Sequence, residues 1–429
     1  MREMKDSGIE WIGEIPKDWK IIKGKYVLEY LQKPVKDDDG VITCFRDGEV
    51  TLRSNRREDG FTLSDKEIGY QGIDVGDLVV HGMDGFAGAI GISDSRGKAS
   101  PVLNVFNSKY SKRYLMYYLR SMAFSNVFIA LASGIRVRSC DLSWNKLANL
   151  PYPTTSYEEQ TEIVRYIDSQ CSEIDATAED IQKEISLLED YKKSVITEAV
   201  TKGLNPDAEM KDSGIAWIGD IPKDWDLLKI GYVTKEISDI DHYMPSDSDD
   251  IDKVPYLMIG DLKENISQID FESCKYISKK VYRALSIKSK PEKGNVIFAR
   301  YATIGTVCFV DSEKQLLVSY ACLTVKANEL IKGRFLFYYF KSNAFLEEVS
   351  QYVKSNTQGN IGKESLIRAK IVVPKLKEQT QIISYLDSKC SEIDAIIADK
   401  KRQRGILAEY KKSLIYEYVT GKKEVPINE

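Results

Sequence analysis

The sequence predicts an α+β protein built twice. Two globular mixed α/β domains are separated by two long helices that pair as an antiparallel coiled coil, giving an internal pseudo-twofold duplication. The first observation is a near-verbatim repeat: MKDSGIEWIGEIPKDW from Met4 returns as MKDSGIAWIGDIPKDW from Met210, differing only at Glu10/Ala216 and Glu14/Asp220. An offset of 206 residues is too long for a solenoid, whose periods reach roughly 50 residues, so a whole domain has been copied. The second is EEQTEIVRYIDSQCSEIDA (158–176), which returns as KEQTQIISYLDSKCSEIDA (377–395) at an offset of 219, leaving the segment between shared blocks 13 residues longer in the second half. The third is the helical periodicity that follows each second block. The predicted boundaries are 1–155 and 210–375 for the domains, and 156–209 and 376–429 for the helices.

From Ile163 the inward positions run Ile163, Ile167, Cys171, Ile174, Ala178, Ile181, Ile185, Leu188, Tyr191, Val195 and Ala199, spaced by threes and fours. Neither Pro nor Gly interrupts until Gly203, which with Pro206 signals a stop. The second copy keeps the register through Ile382, Leu386, Cys390, Ile393, Ile397, Leu407, Tyr410 and Leu414, but Lys400 and Arg404 replace Ile181 and Ile185. So sustained a stripe asks for a partner helix. The charges suggest which: residues 158–202 carry net −7 and residues 377–423 net +3. The two helices therefore complement each other, and chain order favours an antiparallel pair.

Within the globular segments, GDLVVHG (76–82) and AGAIGIS (87–93) read as short buried strands, and KRYLMYYLRSMAFSNVFIALA (112–132) as one helix. The second half answers with GNVIFAR (294–300), TIGTVCFV (303–310) and the helix GRFLFYYFKSNAFLEEVSQYV (333–353). The scaffold is shared and the loops are not, the pattern of two recognition domains with different targets. The chain's net charge of −4 hides local excesses of +6 over 101–146 and +7 over 275–300. DIDHYMPSDSDDID (239–252) reads as a solvated loop, since its carboxylates lack the spacing of a calcium loop.

Composition narrows the class further. A 43% hydrophobic content fits a folded soluble protein, and no apolar run approaches the roughly 20 residues of a membrane span. The start MREMKDSGIEW lacks the apolar stretch of a secretory signal, and seven cysteines without a CxxC pair fit a reducing cytoplasm. No Asn or Asp precedes a PPY triplet, GNIGKE (359–364) is not a phosphate loop, and His81 and His242 have no cysteine partners at zinc spacing. Nor is there a nucleophile elbow. A solitary enzyme has no motif behind it, and neither a catalytic residue nor a metal site is predicted.

In their order, these blocks resemble the specificity subunit of type I restriction-modification systems. The resemblance spans essentially the whole chain and is carried by SGIEWIGEIPKDW and its copy, the EEQT and KEQT boundaries with SEIDA, and the endings YKKSVITEAVTKG and YKKSLIYEYVTGK. CFRDGEVTLRSNRREDGF with GYQGIDVGDLVVHGMDGFAGAIG also looks like a recurrent type of target recognition domain. The resemblance implies that each variable domain reads one half of a bipartite site on double-stranded DNA and that the helix pair sets the spacing. It implies two methyltransferase (modification) subunits, carrying S-adenosylmethionine and adenine N6 chemistry, and restriction/translocase subunits using ATP and Mg, in the cytoplasm. The chain itself would hold no cofactor and catalyse nothing. A coiled-coil adaptor that does not read sequence is the alternative.

Reading DNA requires phosphate contacts and side chains matched to base edges. In the first domain the candidates are Arg53, Asn55, Arg56 and Arg57 in LRSNRREDG, Gln71, His81 and Asp84 beside glycines, and Arg136 and Arg138 alternating as on a strand. In the second they are Lys279, Lys280, Lys288, Lys290, Arg300 and Tyr301, with Asn356, Gln358 and Asn360 as residue types that recognise adenine.

Overall fold

The computed structural model describes residues 2–56, 68–131, 142–240, 242–301, 305–352 and 360–426. The chain forms two compact units, Met1–Gln182 with Arg402–Glu429, and Lys183–Lys401. Each long helix therefore contributes to both units.

Each unit contains a four-stranded antiparallel sheet of the same order. In the first unit it runs Glu29–Leu31, Leu103–Asn107, Leu78–His81, Ile90–Ile92; in the second, Thr234–Ser238, Cys322–Ala327, Val296–Ala299, Val307–Phe309. Leu78–His81, Ile90–Ile92, Val296–Ala299 and Val307–Phe309 are the short strands expected from the apolar runs between glycines, and the other four carried no such signal. The opening repeat forms a hairpin in both places, Met4–Asp6 with Glu14–Pro16 and Met210–Asp212 with Asp220–Pro222. Lys20–Lys23 pairs with Pro151–Thr154, and Asp226–Lys229 with Lys370–Val373, so the ends of each globular segment meet. Outside this scaffold the units differ. The first adds the hairpin Ile42–Cys44 with Val50–Leu52, and the second a three-stranded sheet in which Lys253–Leu257 pairs parallel to Leu317–Val318.

The helix expected over 112–132 is broken. It ends at Phe124, and Asn126 adopts φ 57 before a short turn of helix, Val127–Ala130. Asparagine is one of the few residues besides glycine that enters the left-handed region readily. The counterpart over 333–353 breaks at Ser342, whose extended backbone and hydroxyl, accepting from the Phe345 N–H, start a new helix, Asn343–Ser350.

The long helices span Tyr157–Lys202 and Leu376–Val419, the first about 69 Å long at 1.5 Å per residue. Ile163, Ile167, Ile174, Ile181, Ile185, Ile382, Leu386, Ile393, Ile397 and Leu414 are buried, and Leu188 and Leu407 half-buried. Tyr191 and Tyr410 do not point inward as expected; both are about half exposed. Lys192 takes the inward position instead and bonds Asp394 at 2.7 Å, just as Lys411 bonds Asp175 at 2.6 Å. Lys400 meets Glu184 at 2.5 Å, and Arg404 meets Gln182. As the number on one helix rises, its partner's falls, so the pair is antiparallel, and ionic contacts replace the apolar stripe where it thins.

The repeated blocks explain themselves in this packing. Trp19 and Trp225 are buried, and their indole N–H groups donate to Glu159 and Glu378, the acidic residues of the EEQT and KEQT boundaries, at 3.2 and 2.9 Å. The next residue, Gln160 or Gln379, is fully buried and accepts from the backbone N–H of Ser111 or Lys332 at 2.9 and 2.7 Å. Asp168 then accepts from Tyr117 and Arg113 at 2.5 and 2.6 Å, and Asp387 from Tyr338 and Arg334 at 2.6 and 2.9 Å. Gly203 and Gly421, with φ of 77° and 70°, end the long helices against Trp225 and Trp19. Trp217 of the second block is 38% exposed, with its N–H on Glu348.

Candidate nucleic-acid interface

In the first unit the hairpin found in that unit alone builds a polar cleft of about 650 Å³ beside the end of strand Leu78–His81. Its walls bring together Arg53, Arg56, His81 and Asp84 of the expected set, and add Phe45, Arg46 and Asp47. The Phe45–Glu49 turn is closed by backbone bonds from Phe45 to Glu49 and from Gly48 to Phe45, with Gly48 at φ 93. A side chain there would run into the Arg120 guanidinium and the Ile90 carbonyl, so only glycine lets the turn lie so close.

Arg56 lies over the Phe45 ring at 4.2 Å and bonds Asp47 at 2.5 Å and Glu49 at 3.0 Å. Its hydrogen bond to Asp47 raises its pKa further. Burial works to raise Asp47, but the bonds from Arg56 and the Glu49 backbone outweigh it and hold that carboxyl below its ordinary value. Arg46 bonds Asp84 at 2.9 Å. Arg53 reaches the Thr43 hydroxyl at 3.4 Å, and Asn55 donates to Thr51 at 2.9 Å.

His81 accepts at Nδ1 from the backbone N–H groups of Met83 and Asp84, at 3.2 and 2.9 Å. Nε2 of the neutral ring therefore carries the proton, and burial lowers the pKa and keeps the ring neutral. The cleft thus offers a fixed donor at His81, acceptors at Asp47 and Asp84, and guanidinium groups, the inventory of base-edge and phosphate recognition. Gln71 does not join it. It is buried in strand Gln71–Ile73, where its amide donates to the Leu103 carbonyl at 2.8 Å, so in this structure it is a packing residue. Arg57, Arg136 and Arg138 lie outside the described residues.

In the second unit Arg300 leaves the end of strand Val296–Ala299, the position after His81's counterpart in the shared sheet. Its guanidinium sits over the Tyr301 ring at 5.1 Å and bonds Asp239 at 2.5 Å. Tyr301 bridges to Asn360, whose neighbour Ile361 donates to the Arg300 carbonyl at 3.0 Å, and its ring meets Tyr320 edge-on. A chain of buried hydroxyls, Ser238, Ser289 and Thr324, ties the Lys288–Lys290 turn to the same sheet. Lys280, Lys288 and Lys290 are exposed, and Lys279 opens the helix Lys279–Ser286. Asn356 and Gln358 lie outside the described residues.

The acidic segment 239–252 is more than a solvated loop. Asp239 holds Arg300, Asp252 bonds Lys279 at 2.6 Å, and Asp247 accepts from the Tyr276 backbone at 3.0 Å. Asp239 and Asp252 are placed to match cations across the fold, which spacing along the chain does not reveal. Arg46 and Asp47 were missed for the same reason: CFRDGE carries no periodic signal, and only the hairpin turns it into a wall. Among the described residues no three His, Cys, Asp or Glu side chains gather as a metal site. No described helix is long and apolar enough to cross a membrane.

Residues 222–403 match the family model described as the type I restriction modification DNA specificity domain. A Methanocaldococcus jannaschii protein, named by inference as the specificity subunit of type I restriction enzyme MjaX, is 24% identical over 96% of both chains. The MjaVIII specificity subunit of the same organism is 27% identical over 65% of this chain and 63% of its own. The Escherichia coli EcoBI specificity subunit is 22% identical over 75% and 68%. In fold, the chain is similar to a chain from a solved type I R-M system assembly, with a TM-score of 0.67 at 14% identity, covering 95% of this chain and 99% of that one. Residues 222–403 thus match the type I restriction modification DNA specificity domain, and along nearly its whole length the chain resembles type I specificity subunits.

Proposed function

We propose that this chain is the non-catalytic specificity subunit of a type I restriction-modification complex acting in the cytoplasm. Each unit reads one half of a bipartite, asymmetric site on double-stranded DNA. The helix pair sets the distance between half-sites and docks two methyltransferase subunits for adenine N6 methylation, and restriction subunits join for ATP-dependent cleavage. S-adenosylmethionine, ATP and Mg belong to those partners.

The observation that carries this reading is a contrast within the fold. The indole–glutamate, glutamine and Asp–Arg–Tyr contacts repeat in both units, whereas the charged clusters around Arg56 and Arg300 are built from parts that do not repeat. Repeated contacts suit a common assembly task, and different clusters suit different half-sites.

Methylation mapping of genomic DNA with and without this chain tests the reading, and a bipartite methylated site that depends on the chain is expected. Inserting four residues within 158–202, about 6 Å of helix, is expected to change the spacer and leave both half-sites intact. Changed half-sites would overturn this division of labour. Absence of any chain-dependent bipartite site would overturn the function itself.

A further inference from the structure

Five cations of the recognition clusters are sheathed by carboxylates. Arg56 is held by Asp47 and Glu49, Arg46 by Asp84, Arg300 by Asp239, Lys279 by Asp252 and Lys290 by Glu292. Most of these pairs are exposed, with side-chain exposures of 38% for Arg56, 52% for Asp47 and 49% for Glu49. Exposed pairs add little to stability, so fold maintenance does not account for so consistent a pattern. In a DNA reader the arrangement has another consequence. An unsheathed arginine binds any phosphate, and such contacts dominate sequence-independent affinity.

We propose that Asp47 and Glu49 are specificity-determining residues of the first unit, an inference that rests on the DNA-reading function proposed above. On duplex of the wrong sequence they stay on Arg56, keep its guanidinium against Phe45 and deny it to phosphate. On the right sequence they exchange Arg56 for the exocyclic amino group of a base, cytosine N4 being the usual partner of a carboxylate in the major groove. Arg56 is then released to the DNA. The exchange conserves hydrogen bonds only where that amino group is present, and so converts a general attraction into a selective one.

The test uses the full chain with its modification partner and a library of randomised duplexes, from which wild type selects a consensus. Affinities are then measured for the consensus duplex and for a scrambled duplex of equal composition, between 50 and 200 mM KCl. The double variant Asp47→Asn/Glu49→Gln is expected to bind the scrambled duplex about fivefold more tightly. Its log–log salt slope should steepen by about 1, the signature of one added phosphate contact. Its consensus should lose preference at one or two positions, with a change below about twofold on the original consensus duplex. Adding Arg56→Ala should cancel the gain, whereas Glu10→Gln/Glu14→Gln, which alters net charge equally, should not reproduce it.

An unchanged scrambled affinity or an unchanged consensus overturns the proposal. If wild type selects no sequence and Arg53→Ala/Arg56→Ala binds DNA like wild type, the reading beneath it fails, and the proposal with it.

Discussion

Replacing Glu264 with Gln tests how the second unit is fastened to the helices. The Glu264 carboxylate accepts from Lys192 of the first long helix at 2.9 Å and from Lys341 at the end of helix Gly333–Lys341. Lys192 also bonds Asp394 of the second long helix at 2.7 Å. Burial works to raise the Glu264 carboxyl, but the two ammonium groups outweigh it and bring it down to about 2. Burial pulls Lys341 below its ordinary value even with Glu264 beside it, so the amide variant leaves a desolvated ammonium without its carboxylate.

Removing one member of a fully buried pair costs about 3–5 kcal/mol. The Glu264 side chain is 37% exposed, which screens part of that, so the expected loss is about 2 kcal/mol. The pH dependence follows. Between about 2 and the unfolded value of 4.5 the folded chain holds fewer protons than the unfolded one. Stability due to Glu264 is therefore complete above pH 4.5 and drains as pH falls towards 2. Amide hydrogen exchange in strands Val296–Ala299 and Val307–Phe309 measures this locally, which suits a chain of two units that need not unfold together. The Phe309 N–H, which donates to the Glu264 carbonyl at 2.8 Å, is the most direct probe. Wild-type protection in the variant at pH 7, or an unaltered acid limb, would refute the reasoning.

Two further outcomes are expected. Trp19→Phe and Trp225→Phe each delete an indole donation to a long-helix glutamate, and each should cost about 1–2 kcal/mol in chemical denaturation; unequal effects of several kcal/mol would show that the repeated blocks are not equivalent. Arg53→Ala/Arg56→Ala should lower the log–log salt slope of binding to the consensus duplex by about 2 while leaving subunit assembly, read by size-exclusion chromatography, unchanged.

The duplication, the strands at 76–82 and 294–300, and the long helices were legible because each rests on a local or periodic signal. A stripe of isoleucines three and four apart has one economical way to be buried, and copied blocks must solve the same packing problem. The breaks at Asn126 and Ser342 were not legible, because apolar content continued through them while backbone conformation and capping decided the outcome. Tyr191 misled for a related reason. Apolar character suggested burial, yet the neighbouring Lys192 took the inward place because Asp394 and Glu264 satisfy its charge there.

By itself the sequence determined that the chain is double, which blocks repeat, and that the differing segments between them hold the basic excess. Tertiary structure alone decided what each cation meets. It sent Gln71 into the core and paired Arg56 with the hairpin's carboxylates. It brought Asp239, 61 residues away in the chain, onto Arg300. The physical reason is range. Periodicity is set by neighbours within a turn or a strand, whereas a charge finds its partner only when distant segments are folded to within a hydrogen bond of each other.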